Sequence, residues 1–254
     1  MPAERGTNGA PRLRLQMGQS SAERPPHPDP LPEGEGAEAG RPVGIVVGLV
    51  AEAKVAGSLG ARIAIGGSTS AGAASAADTL APRVSALISF GLAGGLDPAL
   101  PPGALLIPAT VLAEDGQWDT DPILNARLGG PTPGALFGDG AILATTGAKA
   151  ALHARTGAVA VDLESAAVAR IAARHGLPFA VLRAVCDPAG RDLPRAALAA
   201  LDGQGRIGAL RVAAAILAQP GEILGLIALG RDAARARLAL VTRVRAIGRL
   251  GSAP

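Results

Sequence analysis

Two carboxylates, Glu164 and Asp187, stand where β-type runs stop in AVAVDLESAAVARIAARHGLPFAVLRAVCDPAGRD, residues 158–192. Pockets of α/β folds gather at the carboxyl ends of strands, so acids at those ends are candidates for chemistry. Glu164 follows a short strand and opens a helix. There it either stabilises the helix N-terminus through the dipole or accepts hydrogen bonds from the hydroxyls of a ligand. Asp187 ends a strand and precedes Pro188, which holds it extended; its plain alternative is a turn-starting Asp. With a period of two, Arg183, Val185 and Asp187 share a face, which places Arg183 to balance the acids.

Two glycine-rich segments come earlier. Gly66-Gly67-Ser68-Thr69-Ser70 joins a strand to a helix, and its amides and hydroxyls are placed to hold an anion at the helix N-terminus. It lacks the Lys of a Walker loop and the G-x-S-x-G of a nucleophile elbow, so a tight turn is its simpler reading. Gly91-Leu92-Ala93-Gly94-Gly95 ends another strand and is not G-x-G-x-x-G, which removes the dinucleotide fingerprint. Glycines there let backbone approach a ligand, or merely turn the chain. His27 falls in the expected disordered tail, His153 and His175 fall within or at the ends of expected helices where surface or capping roles suffice, and no Cys/His spacing fits zinc. No metal site is expected.

The elements that position these residues are drawn from a chain of 254 residues that is 48% hydrophobic but only 2% aromatic. Its core must be Ala, Val, Leu and Ile. A net charge of +3 with so few aromatics gives little support to nucleic-acid binding, and none is expected. It fits an anionic ligand or surface better. Cys186 is the single cysteine, which excludes an internal disulfide and fits a reducing compartment. No apolar run reaches the length of a spanning helix, and the polar start does not read as a signal peptide.

Residues 1–41, rich in Pro, Gly, Glu and Ser, are expected to form a disordered extension. Residues 42–220 read as the catalytic domain and 221–254 as a helical basic extension. VGIVVGLVA from Val43 is a strand buried on both faces. Strands follow at 61–67, Ser85–Phe90, 101–114, Val159–Val161 and Phe179–Val185. Helices are read at Ser68–Leu80, Lys149–Arg155 and Glu164–His175, and 115–140 as loop. Alternating strands and helices give an α/β fold with a mixed, mainly parallel central sheet and helices on both faces. From about Ile207 the chain reads as helical, and residues 222–249 hold six arginines against two acids. Arg231, Arg235, Arg245 and Arg249 fall on one side; Leu240, Val244 and Ile247 fall on another, a stripe that Leu238 breaks. Such a helix either packs on the sheet or lies on an anionic membrane surface.

GLVAEAKV, GGSTSAGAASAAD, FGLAGGLDPALPPGALLIP, VDLESAAVA and LRAVCDPAG occur in that order between about residues 43 and 195. In this order they resemble the purine nucleoside phosphorylase and nucleosidase superfamily. Within it, VDLESAAVARIAARHGLPFAVLRAVCDPAGRDLP, the run RAALAALDGQGRI and the long C-terminal extension look most like the branch associated with hopanoid biosynthesis. That resemblance implies a three-layer nucleoside phosphorylase-like fold and cleavage of a purine N-ribosyl bond, releasing adenine from adenosylhopane. The alternatives are a methylthioadenosine/S-adenosylhomocysteine-type nucleosidase or small-nucleoside phosphorylase, and a non-catalytic nucleoside-binding or membrane scaffold protein.

The resemblance also implies roles. Glu164 would bind the ribose hydroxyls, and Asp187, with a raised pKa, would protonate the departing purine. Asp162 and Leu163 would shape the sugar and base pocket, and Ala93 and Gly94 would line the ribose and nucleophile site. Gly67 and Ser68 would approach phosphate or water. The water-activating glutamate of related nucleosidases falls on Glu52 or Lys54; at Lys54 the charge would favour phosphate. The phosphorylases' phosphate-binding arginines have no clear counterpart, with Arg62 and Arg83 as candidates. No cofactor is implied beyond phosphate as co-substrate. The expected setting is a cytoplasmic homo-oligomer with peripheral contact at the inner membrane.

Overall fold

A computed structural model describes residues 40–200 and 220–251. Nearly all of the expected disordered extension, and the start of the expected C-terminal helix near Ile207, lie outside these residues. Among the described residues nine strands form a single sheet. In chain order the first elements are β1 (Gly44–Val47), α1 (Val50–Ala56), β2 (Arg62–Ile65), α2 (Ser70–Leu80) and β3 (Leu87–Gly95). Then come β4 (Leu105–Leu106), β5 (Thr110–Ala113), β6 (Gly116–Asp119), α3 (Pro122–Leu128) and β7 (Leu136–Phe137). The chain continues through α4 (Thr146–Thr156), β8 (Ala160–Val161), α5 (Ser165–Arg174), β9 (Phe179–Asp187), α6 (Arg195–Ala200) and α7 (Ile223–Ile247).

The sheet runs β2-β1-β3-β8-β7-β5-β6, with β9 paired to β3 and β4. The pairs β1–β2, β1–β3, β3–β9, β5–β7 and β7–β8 are parallel, and β3–β8, β4–β9 and β5–β6 antiparallel. It is the mixed, mainly parallel sheet expected. All four residues of β1 are buried, as an apolar run covered on both faces must be. On one face, Val46, Leu87, Val181 and Val185 pack with Ala73, Ala77 and Leu80 of α2 and Ala167, Val168 and Ile171 of α5. On the other, Ile45, Val47, Ile88, Phe90 and Leu182 pack with Leu124 and Leu128 of α3 and Ala236, Leu240 and Val244 of α7. A core short of aromatics thus closes by bringing Ala-faced helices near the sheet.

Several boundaries differ from the sequence reading. The glycines 91–95 are not a turn. They extend β3, because β9 pairs along one edge and β8 takes the other at Gly94–Gly95. The expected strand 101–114 is two, β4 and β5, broken around Pro108, which cannot donate to a ladder. The expected loop 115–140 holds β6, α3 and β7; α3 is capped by Asp121, whose carboxylate accepts from Leu124 N at 2.8 Å. The apolar run after Val43 stops as strand at Val47, and Val50–Ala56 is helix, so Glu52 stands on α1 and not in a turn. Helix α7 joins the core through Ala236, Leu240 and Val244, with Leu238 left 65% exposed.

Candidate active site

Four buried carboxylates, Glu52, Asp162, Glu164 and Asp187, and two buried cations, Arg183 and Lys149, line one cavity of about 240 Å³. Each comes from an element end or a strand that faces it. Glu52 lies in the first turn of α1, where the chain leaves β1. Its Oε2 accepts from Gly48 N at 3.0 Å and Leu49 N at 2.9 Å, and its Oε1 accepts from Leu92 N at 3.0 Å. The carboxylate therefore ties the end of β1 to the glycine-rich half of β3. That approach requires Gly91: a Cβ there would stand 2.5 Å from Glu52 Oε1 and 2.7 Å from Arg183 Nη1.

Arg183 is the charge inside the apolar strand β9, only 2% exposed. Its Nε is 2.7 Å from Asp162 Oδ2 and its Nη2 is 2.9 Å from Glu164 Oε2. Nη2 also donates to Ser89 Oγ at 2.7 Å, and Nη1 to Leu92 O at 3.3 Å. Burial works against this charge, but Asp162, Glu164 and Glu52 together raise the guanidinium pKa above its ordinary value. The same burial pushes the pKa of Glu52 and Glu164 up, with Arg183 opposing the shift.

Asp162 shapes the β8–α5 turn: its Oδ1 accepts from the amides of Glu164 and Ser165 at 3.2 and 3.0 Å. This leaves Glu164 aimed into the cavity with one oxygen on Arg183. Its Oε1 is buried and accepts no hydrogen bond from the described residues. Facing it is Ser68, the only non-glycine residue with positive φ (57°) among those described. A backbone held in that region costs about 1–3 kcal/mol. A Cβ on Gly48 would stand 2.3 Å from Glu164 Oε1 and 2.7 Å from Ser68 Oγ, so Gly48 leaves both oxygens clear.

Asp187 closes the far side. β9 shifts register there, from Ala93↔Val185 to Gly94↔Asp187, which leaves Cys186 bulged. The bulge departs from simple alternation, and Asp187 pairs not with Arg183 but with Lys149 Nζ, at 2.8 Å. Burial raises the Asp187 pKa, opposed chiefly by Lys149. Burial pushes the Cys186 thiol up to about 12, which leaves it inert as a nucleophile.

Leu163, Ala93, Gly94 and Ser68 line the cavity, whereas Gly67 does not, though its φ of 73° turns the chain into Ser68. Lys54 is a correction. Two residues from Glu52 is about 200° of helix, so Lys54 points out of α1, is exposed and does not reach the cavity. Arg62 and Arg83 are likewise exposed and outside it. Sequence reasoning left out Lys149, although it is one of only two lysines in an arginine-rich chain. It also left out Leu193 and Leu229, which no local signal marks. With Leu49, Ile142 and Leu143 they form an apolar side to the cavity.

Fully ionised, four carboxylates and two cations leave a charge of −2 around the cavity. Such a site favours a reacting centre that becomes positive. The family model described as the phosphorylase superfamily matches residues 40–219. No match was found among curated protein sequences. Among solved structures, the chain is similar to the native futalosine hydrolase of Helicobacter pylori strain 26695. The identity is 16% and the TM-score 0.59, covering 82% of this chain and 99% of that one. It is similar to the S-adenosylhomocysteine nucleosidase of Streptococcus pyogenes in complex with 5-methylthiotubericidin, at 17% identity and TM-score 0.57, covering 83% and 99%. The 5'-methylthioadenosine/S-adenosylhomocysteine nucleosidase of Helicobacter pylori with butyl-thio-DADMe-Immucillin-A gives 16%, 0.58, 82% and 100%. At such identities the likeness is one of fold.

Proposed function

The chain belongs to the phosphorylase superfamily, and from that premise we propose that it is an enzyme that cleaves the N-ribosyl bond of a purine nucleoside. The observation that carries this reading is the pairing of Glu164 Oε1, a buried acceptor with no partner among the described residues, with Asp187 across the same cavity. Glu164 accepts the ribose hydroxyls, and Ser68 Oγ lies beside it. Asp187, its pKa raised by burial, gives a proton to the purine as the bond breaks. The sugar becomes oxocarbenium-like, and the excess of carboxylates lowers the energy of that charge.

Water is the nucleophile this pocket favours. Glu52 is the carboxylate nearest the Gly91–Leu92 backbone and is placed to orient it. Both cations that line the cavity are already taken up by carboxylates and carbonyls, so phosphate would find no unpaired positive charge among the described lining residues.

The substrate we propose is a nucleoside with a large apolar 5′ substituent, adenosylhopane, at a peripheral membrane site. The apolar side of the cavity supports this, together with exposed Ile223, Leu224 and Ile227 in the turns of α7 that precede Leu229. The test is to supply adenosylhopane and 5′-methylthioadenosine, each with and without phosphate, and to measure free adenine. Adenine from adenosylhopane at a rate independent of phosphate is the expected result. No release from either nucleoside overturns the enzyme reading, phosphate dependence overturns the choice of water, and release only from methylthioadenosine overturns the lipid substrate.

A further inference from the structure

Lys149 stands in the first turn of α4 and is 1% exposed. Burying an ammonium is costly unless each of its protons finds an acceptor. Here Nζ reaches Asp187 Oδ2 at 2.8 Å, Pro188 O at 2.9 Å and Arg191 O at 2.8 Å. Three protons meet three acceptors, all within one five-residue stretch that begins with the proposed acid. Asp187 Oδ1 accepts no hydrogen bond from the described residues.

The stretch is held from both sides. Toward α4, Leu193 N donates to Ala144 O at 2.8 Å and Thr146 N to Asp192 Oδ1 at 2.6 Å. Toward α7, Arg191 Nη1 pairs with the buried Asp232, which Arg235 also meets at 3.0 Å. Lys149 joins this tether through Pro188 O and Arg191 O, and adds to it a positive charge placed on one oxygen of the acid.

We propose that Lys149 is a positioning residue for Asp187: it fixes Oδ2, leaves Oδ1 as the oxygen presented to the purine, and sets the pH range over which Asp187 holds its proton. This rests on the proposed N-ribosyl cleavage for its catalytic meaning but not for its geometry. The groups that face Asp187 are Lys149 from α4, Arg191 from the turn, Asp232 from α7 and Cys186 beside it. Lys149 and Arg191 favour the carboxylate; Asp232 and burial favour the acid. Proton donation requires the acid form, so turnover falls as pH rises through the Asp187 pKa. Without the Lys149 charge that pKa rises further, and the alkaline limb moves up.

The chain's two lysines make the test direct. In full-length protein labelled at lysine 13Cε, Lys54→Gln assigns both signals. The Lys149 signal is expected to move with the titration of the Asp187 carboxyl carbon and to lose that transition in Asp187→Asn, while Lys54 does not respond. In Lys149→Gln, which keeps donors but no charge, the Asp187 midpoint and the alkaline limb of kcat/KM should both rise by about one pH unit or more, with kcat falling more than KM changes. A Lys149 signal indifferent to Asp187, or an unmoved limb with activity lowered equally at every pH, overturns the proposal. If Lys149→Gln does not fold, the signal from the unaltered lysine still decides. Coupling without release of purine from any nucleoside would leave the pair intact and overturn the enzymatic reading instead.

Discussion

At the residue scale the site is an arrangement of buried charge in which each group has a partner except where a ligand is expected. Glu164 Oε1 is the clearest such place. Asp187→Asn keeps the shape of the acid and removes its proton. Turnover should fall by about 10²–10⁴, while calorimetry still detects adenine. Loss of both would mean that Asp187 holds the ligand and is not the acid. The buried carboxylates also make stability depend on pH. Glu52, Glu164 and Asp187 have folded-state pKa values raised above their ordinary ones by burial. In the folded state they hold protons that the unfolded chain gives up. Their contribution is therefore fully present below the ordinary carboxylate pKa of about 4 and is lost as pH rises through the raised values. Urea denaturation midpoints should fall across that window, and Glu164→Gln should flatten the fall. An equally steep fall in the variant would assign the effect to other groups.

At the element scale the cavity depends on glycines where β1 and β3 pass close to buried side chains. Gly48 closes β1 against Glu164 and Ser68, and Gly91 lets β3 pass the Glu52–Arg183 contact. Gly48→Ala places a methyl on the two oxygens proposed to meet the sugar. Its expected effect is a rise in KM of at least about tenfold, or about 1.4 kcal/mol, with the far-UV spectrum unchanged. Unaltered kinetics would move the sugar elsewhere in the cavity. Much of this scale was legible. The acids at the ends of β8 and β9 and the buried run of β1 follow from apolar spacing and turn residues. The glycines 91–95 read as a turn because glycine permits one. Only the pairing of β8 and β9 to both edges makes them strand. The loop expected at 115–140 failed for a related reason: β6 and β7 are short and held by their neighbours, with no alternation of their own.

At the scale of the whole molecule, α7 serves both the core and the cavity. Leu240 is 1% exposed in the second core face, while Leu229 lines the cavity and Asp232 holds Arg191. Leu240→Ala should lower stability by about 2–5 kcal/mol, read from the denaturation midpoint. Deleting the helix would therefore open the core, and membrane contact is better tested with the exposed pair. Leu224→Glu with Ile227→Glu should abolish binding to anionic liposomes at unchanged melting temperature. Binding that persists would remove this end of α7 from any membrane contact.

The sequence by itself determined the fold class, the order of the motifs and the two carboxylates at strand ends, because apolar period, turn residues and short motifs are local. It also placed Arg183 on the acids' side of the sheet. What only the tertiary structure decided were choices that depend on distance in space. Glu52 and Lys54 are equal candidates along the chain, yet the helical turn sends one into the cavity and the other into solvent. Lys149 lies 38 residues before Asp187 and meets it because the turn after β9 folds back onto α4. Arg183 was expected to balance the acids, but the bulge at Cys186 parts it from Asp187, leaving Lys149 as that acid's counterion.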